Sequence, residues 1–160
     1  MGVSCRDSFL LKAGGYWLGI DVSIEDGVII RVGLSLSSPS PRVGIGVPLD
    51  LMEIFQDILD GRADARSVRH HARGTEFQKR VWDVTGRIPY GSTATYKEIA
   101  RAVGCGSPRA VGQALKANPV PLLVPCHRVI GAGGTLTGFS SGLEIKELLL
   151  RHEHENCSGK

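Results

Sequence analysis

Apolar and polar residues alternate from Tyr16 to Leu36, and after Leu49 the spacing changes to that of a helix. The alternation predicts two strands, over 16–24 and 28–36, joined at Glu25-Asp26-Gly27. An Asp-Gly pair between apolar runs is a strong hairpin signal, because both residues tolerate positive φ. The next stretch, 37–48, is rich in Ser, Pro and Gly and reads as a loop. Leu51, Ile54, Phe55, Ile58 and Leu59 then recur at helical spacing, which predicts a helix over 49–61 stopped by Gly61. Residues 62–74 are charged and aperiodic, and they read as a linker.

The second half predicts helices with explicit start signals. Thr75 followed by Gln78, and Thr95 followed by Glu98, both fit the capping box, in which hydroxyl and side chain satisfy each other's orphan N–H groups. The first opens a helix to about Thr85 with Phe77, Val81 and Val84 on one face, and "GRIPYGS" breaks it. The second opens a helix over 96–103. After "GCGS", Ser107 caps a third helix with Pro108 at its first position, where a missing N–H costs little. That helix stops at Asn118-Pro119. Two short helices across a glycine turn read as a helix-turn-helix. The second has Val111, Ala114 and Leu115 for a core, and Arg109, Gly112, Gln113 and Lys116 on the other side. A glycine on that basic face costs roughly 1 kcal/mol against alanine, which fits a close approach by another backbone; an ordinary exposed face with a tolerated glycine fits as well. The apolar run 120–124 reads as a buried strand ending at Pro125. Residues 130–142 form a glycine-rich loop without the Lys-Ser/Thr of a phosphate-binding loop. A last helix is expected over 143–153, with Ile145, Leu148, Leu149 and His152 at helical spacing, and 155–160 as a flexible tail. The domain boundaries expected are therefore 1–70, an N-terminal supporting unit, and 75–154.

Charge changes this picture more than composition does. At 160 residues, 42% hydrophobic and 22% charged, the chain reads as globular. Its apolar runs are too short for a bilayer and residues 1–12 lack a signal-peptide core, so a cytoplasmic location without membrane contact is expected. The net charge of +3 is uneven. Residues 1–72 hold 7 Lys/Arg against 9 Asp/Glu, residues 73–137 hold 9 against 3, and residues 138–160 hold 3 against 4. A basic middle segment suits a polyanionic partner, and a solvated basic face fits it equally. The four cysteines, Cys5, Cys105, Cys126 and Cys157, make no CxxC pair and a poor disulfide framework. Cys5, His70 and His71 are the residues for a structural zinc site, although no ligand spacing supports one. No metal or other cofactor is expected.

The chemistry gathers at Pro125-Cys126-His127-Arg128. A thiolate is the nucleophilic form of cysteine, and a nearby cation lowers the thiol pKa. His127 and Arg128 are the candidates for that. On a strand, neighbours point to opposite faces, so a water bridging Cys126 and His127 is favoured over a direct bond. A carboxylate would orient the imidazole, and Glu144, Glu147 and Glu153 are the local supply. A buried structural cysteine is the competing reading of the dipeptide.

At this point the residues become specific. "PVPLLVPCHRVIG" resembles the active-site signature of the O6-alkylguanine-DNA alkyltransferases, and "TEFQKRVWDVTGRIPYGSTATYKEIA", "SPRAVGQALKANPVP" and "SGLEIKELLLRHE" resemble the same family in the same order. The resemblance covers about 74–154. It implies an α+β fold: a small ribonuclease H-like sheet-plus-helix domain, then a mostly helical, winged-helix-like domain with the helix-turn-helix. It implies a monomer that binds duplex DNA containing O6-alkylguanine through the minor groove and flips the base. The alkyl group, from O6 of guanine and by extension O4 of thymine, passes irreversibly to the protein's own cysteine. By the same resemblance Cys126 is the acceptor, His127 its water-mediated base, Glu153 the orienting carboxylate, and Asn118 the tie between helix-turn-helix and active-site turn. Arg109 fills the vacated stack, Tyr96 perturbs the phosphate and contacts the base, and Cys126, Val129 and Ser140 offer backbone groups to the guanine edge. Gly112, Gln113 and Lys116 complete the DNA face. The sequence departs from the family at Phe139, where tyrosine is common, and at Ser141, where glycine is usual; these two positions bear on the tolerance of large O6 substituents. The alternative is a lesion-sensing DNA-binding protein that transfers nothing; a helix-turn-helix transcription regulator and a thiol hydrolase rank behind it.

Overall fold

Three consecutive strands, β1 (Ser4–Ala13), β2 (Tyr16–Glu25) and β3 (Val28–Ser37), pair antiparallel in chain order in the computed structural model, which describes residues 4–37 and 49–159. β2 and β3 match the predicted hairpin, turning where Asp26 (φ 49°) and Gly27 (φ 73°) both take positive φ. β1 was not anticipated, although Phe9, Leu11 and Ala13 alternate inward along it. They join Leu18, Ile20, Val22 and Val32 on one buried face of the sheet. The loop expected over 37–48 lies, from residue 38 on, outside the described residues.

Helix α1 (Leu49–Leu59) covers that face with Phe55, Ile58 and Leu59. Phe55 meets Phe9 edge to face, with ring centroids 5.5 Å apart, a geometry that adds about 1 kcal/mol to the buried area. The helix stops two residues earlier than predicted, and Gly61 follows at φ 72°. The segment read as a linker is docked rather than free. It contains a short 3₁₀ turn capped by Asp64, and the Ile29 N–H and C=O bond the Arg69 carbonyl and the His71 N–H, at 3.2 and 2.8 Å.

Both capping boxes form, at Thr75 for α2 (Glu76–Gly86) and at Thr95 for α3 (Tyr96–Ala102). The buried side of α2 centres on Val81, Trp82 and Thr85; Phe77 and Val84, expected there, are half-buried at its margin. Ser107 caps α4 (Pro108–Lys116), and the Trp82 indole donates to the Ala114 carbonyl at 2.8 Å, fixing α2 against α4. Val32 N–H donates to the Pro119 carbonyl at 2.8 Å, so the sheet edge and the end of the helix-turn-helix are tied directly.

Residues 120–124 are not a strand, contrary to expectation. Leu122 adopts a positive φ of 72°, and the Asn118 side chain accepts from Val120 N–H at 3.0 Å and donates to the Val124 carbonyl at 3.1 Å. The chain is thereby wound into a buried loop, and Cys126–Arg128 continue as a 3₁₀ turn. The apolar run betrays burial, but periodicity alone does not separate strand from loop. β5 (Val129–Ile130) then pairs parallel with β4 (Ala94–Thr95), joining the turn to the start of α3. Helix α5 runs over Leu143–Ser158, well beyond the predicted end and through most of the expected flexible tail. It packs against β1 and β3, which places its length across both halves of the chain. An α+β fold results, with an N-terminal antiparallel sheet and a helical C-terminal part. No helix among the described residues is long and apolar enough to cross a membrane.

Candidate active site

Asn118 ends the helix-turn-helix and reaches into the reactive turn. Its amide nitrogen stands 3.3 Å from Cys126 Sγ. Cys126 is 3% exposed, and burial pushes its thiol up to about 11, against the smaller downward pull of the Asn118 bond and the Lys146 charge. This corrects the expectation that neighbouring cations ionise the resting thiol: Arg128 is engaged elsewhere, and the cation acting on the sulfur is Lys146.

His127 is buried at 1% exposure. Its Nε2 lies 2.7 Å from Glu153 Oε1, and its Nδ1 has no hydrogen-bond partner among the described residues. An ionised carboxylate only accepts, so the Glu153 bond selects the Nε2–H tautomer and leaves Nδ1 with a free lone pair. Burial holds the imidazole below its usual pKa despite Glu153, so it is neutral and basic near pH 7. Burial opposes ionisation of Glu153 too. The His127 and Arg128 bonds outweigh it and bring that carboxyl down to about 2. Arg128 binds both Glu153 oxygens through Nε and Nη2 at 2.9–3.1 Å and gives Nη1 to the Ile88 carbonyl at 2.8 Å. Of the three candidate carboxylates, Glu144 and Glu147 are exposed and Glu153 is the partner.

Lys146, absent from the sequence-based set, is fully buried. Its Nζ donates to the Val129 carbonyl at 2.6 Å and the Thr137 carbonyl at 2.7 Å, and burial draws its pKa down to about 8. The signal was present: Lys146, Leu149 and Glu153 share one face of α5, and two opposite charges flanking a leucine at i+3 and i+7 mark a polar pair inside an apolar stripe. Tyr96 donates its hydroxyl to the same Thr137 carbonyl at 2.8 Å, and Gly138 lies so close that an added Cβ would stand 2.9 Å from that hydroxyl. Burial pushes the Tyr96 phenol up, so it stays a donor.

Tyr96, Arg109, Gly112, Gln113, Lys116, Phe139 and Ser140 converge on a cleft of about 970 Å³ between α4 and the glycine-rich loop. Cys126, His127, Asn118, Glu153 and Val129 lie buried and do not line it, and the Val129 carbonyl is taken by Lys146. A negative charge on Cys126 would further oppose ionisation of the Tyr96 phenol. Cys5 contacts Asp7, His70 Nδ1 lies 2.9 Å from the Val68 carbonyl, and no cluster of three or more metal-ligating side chains exists among the described residues.

A profile described as "6-O-methylguanine DNA methyltransferase, DNA binding domain" matches residues 76–155. A methylated-DNA–protein-cysteine methyltransferase of Methanosarcina barkeri is 50% identical over 99 residues, 60% of this chain and 61% of the relative, so the match spans about three-fifths of that protein's length. One of Methanothermobacter thermautotrophicus is 40% identical over 149 residues, 88% of this chain and 84% of the relative. Among solved structures, the Mycobacterium tuberculosis OGT in complex with DNA superposes with a TM-score of 0.77 at 33% identity, over 94% of this chain and 93% of that one.

Proposed function

The chain belongs to the methylated-DNA–protein-cysteine methyltransferase family, and on that premise we propose that it repairs duplex DNA by taking the methyl group of O6-methylguanine onto Cys126, once per molecule. The observation that carries this is the buried His127, held by Glu153 through Nε2 with Nδ1 unpartnered among the described residues, beside a thiol that must lose its proton to react.

The damaged guanine leaves the stack so that the methyl carbon on its O6 can be reached, and enters the cleft lined by Tyr96, Phe139 and Ser140. Arg109 fills the gap it leaves. Gly112, Gln113 and Lys116 approach the minor groove, which is only about 6 Å wide and admits small side chains best. His127 takes the Cys126 proton through a bridging water. The sulfur attacks the methyl carbon in line, the S–C bond forms, and the O6–C bond breaks. Its electrons pass into the guanine ring, which takes up a proton, and His127 gives up the one it gained, so no net proton is consumed. Asn118 and Lys146 lower the cost of negative charge on sulfur. The thioether product has no evident route back to the thiol, so transfer is stoichiometric. O4-methylthymine is a second substrate by the same chemistry, and the protein acts as a monomer inside the cell. Phe139 and Ser141 restrict bulky O6 substituents more than methyl.

The test is incubation with duplex DNA carrying O6-methylguanine, then peptide mass analysis. One methyl on the Cys126 peptide and a plateau at one equivalent are expected. Turnover would mean a hydrolase, and binding without modification a lesion sensor. Cys126→Ser keeps DNA binding and loses transfer. Arg109→Ala weakens base extrusion more than affinity, read by a fluorescent base analogue at the lesion; an unchanged signal removes that role.

A further inference from the structure

The position of Glu153 decides what His127 can do, and α5 decides the position of Glu153. That helix is gripped from the N-terminal unit. Asp60, just after α1, places Oδ1 2.8 Å from His152 Nε2, while its Oδ2 receives Gln56 at 3.1 Å and Arg62 at 2.8 Å. Gln56 in turn exchanges two hydrogen bonds with the Lys12 backbone of β1, both 3.0 Å. One turn beyond His152, Asn156 donates to the Tyr90 hydroxyl at 3.1 Å, and Tyr90 donates to the Leu59 carbonyl at 2.8 Å. The Tyr90 ring packs close to Gly61, where an added Cβ would stand 2.6 Å from it, and carries the Arg128 guanidinium 5.5 Å from its centroid. The adjacent Gly91 N–H donates to Glu153 Oε2 at 2.9 Å.

We propose that Asp60 and Tyr90 are positioning residues for methyl transfer, through which the end of α1 sets the rotation of α5 and so the aim of Glu153 at His127. This rests on the transfer reading above. His152 and Glu153 are consecutive, so their side chains leave the helix about 100° apart. One is fixed to α1 and the other to the reactive turn, and two diverging anchors define a rotation that neither defines alone. Arg128 receives the same constraint a second way, since its guanidinium rests on a ring that Gly61 supports. The N-terminal unit thus holds the base in register from the far side of α5. A misplacement of an ångström at the reacting centre can cost on the order of a hundredfold in rate, so small losses of register are visible.

The experiment is single-turnover methyl transfer from duplex DNA carrying O6-methylguanine, at saturating DNA, on wild type, Asp60→Ala, Asp60→Asn and Tyr90→Phe. The plateau counts folded acceptors, and the rate constant reports the centre within them. Asp60→Ala should slow transfer roughly tenfold with the plateau and DNA affinity preserved. Asp60→Asn keeps an acceptor for His152 but turns an NH2 toward Gln56 and Arg62, so it should recover part of the rate. Tyr90→Phe keeps the ring and loses both hydroxyl bonds; it should slow transfer about threefold and stands in if Asp60→Ala does not fold. Lower plateaus with wild-type rate constants would make these residues structural only and overturn the proposal. A wild-type protein that accepts no methyl would overturn the transfer reading itself, and this proposal with it.

Discussion

The Asn118 side chain is 3.3 Å from the sulfur of Cys126 and 3.1 Å from the carbonyl of Val124, so the last residue of the helix-turn-helix holds both the nucleophile and the loop behind it. Replacing it with alanine removes the donor that opposes burial at a thiol already near 11. It also strips partners from two buried backbone groups, the Val120 N–H and the Val124 carbonyl, each loss costing about 1–3 kcal/mol. Asn118→Ala should therefore unfold at lower denaturant and, in its folded fraction, transfer methyl more slowly. A lower midpoint with an unchanged single-turnover rate would leave Asn118 a purely structural residue.

Glu153 gives the fold an acid-side weakness. Its folded pKa of about 2 is below the ordinary carboxylate value of 4.5, so the unfolded chain binds its proton first as pH falls. The stability it contributes is complete above about pH 4.5 and disappears as pH falls through 2, in the order of 3 kcal/mol in all. His127, whose folded pKa is also lowered, adds a loss in the same direction starting near pH 6.5. Thermal unfolding between pH 7 and 3 should show a steep fall in wild type, and a shallower one in Glu153→Gln, which is destabilised throughout because Arg128 keeps a buried charge without its carboxylate. Parallel curves for the two proteins would contradict this.

Lys146 makes the opposite limb informative. Burial lowers its pKa to about 8 from 10.5, so between those values the unfolded chain holds a proton that the folded one has released. Stability from this group rises with pH across that window, by roughly 3 kcal/mol at most, as a buried cation is neutralised. The unfolding free energy of wild type relative to Lys146→Met should therefore grow from pH 8 to 10. A difference that is flat with pH would mean that Lys146 titrates normally.

What the sequence conveyed well were the starts and turns with their own local chemistry, although the alternation along β1 was missed. Capping boxes at Thr75 and Thr95, the Asp26-Gly27 turn and the Pro108 start are short-range patterns, and each sits where the residues predict. The run 120–124 misled because its conformation is imposed from Asn118 and by Leu122 at positive φ, neither of which leaves a periodic trace. α5 was cut short because its last turn is polar, and its hold on Tyr90 through Asn156 is a contact across 66 residues. Lys146 left one trace, its place on a single face of α5 with Leu149 and Glu153, but the backbone carbonyls it binds carry no residue-type signal.

Gly112 separates a demand of the fold from a demand of a ligand. It lies inside α4 and on the wall of the cleft, and an added Cβ there would meet Tyr96 Cε1 at 3.7 Å, an ordinary contact. Nothing among the described residues excludes a methyl group at this position. Helix propensity favours alanine over glycine by up to about 1 kcal/mol, so Gly112→Ala should raise the melting temperature by several degrees. If a DNA backbone approaches α4 closely, the same methyl stands in its path. Affinity for duplex DNA should then fall while the rate of transfer at saturating DNA stays near wild type, since Cys126 and His127 are untouched. A variant that is more stable and binds duplex DNA as tightly as wild type would show that the α4 face does not meet DNA at Gly112.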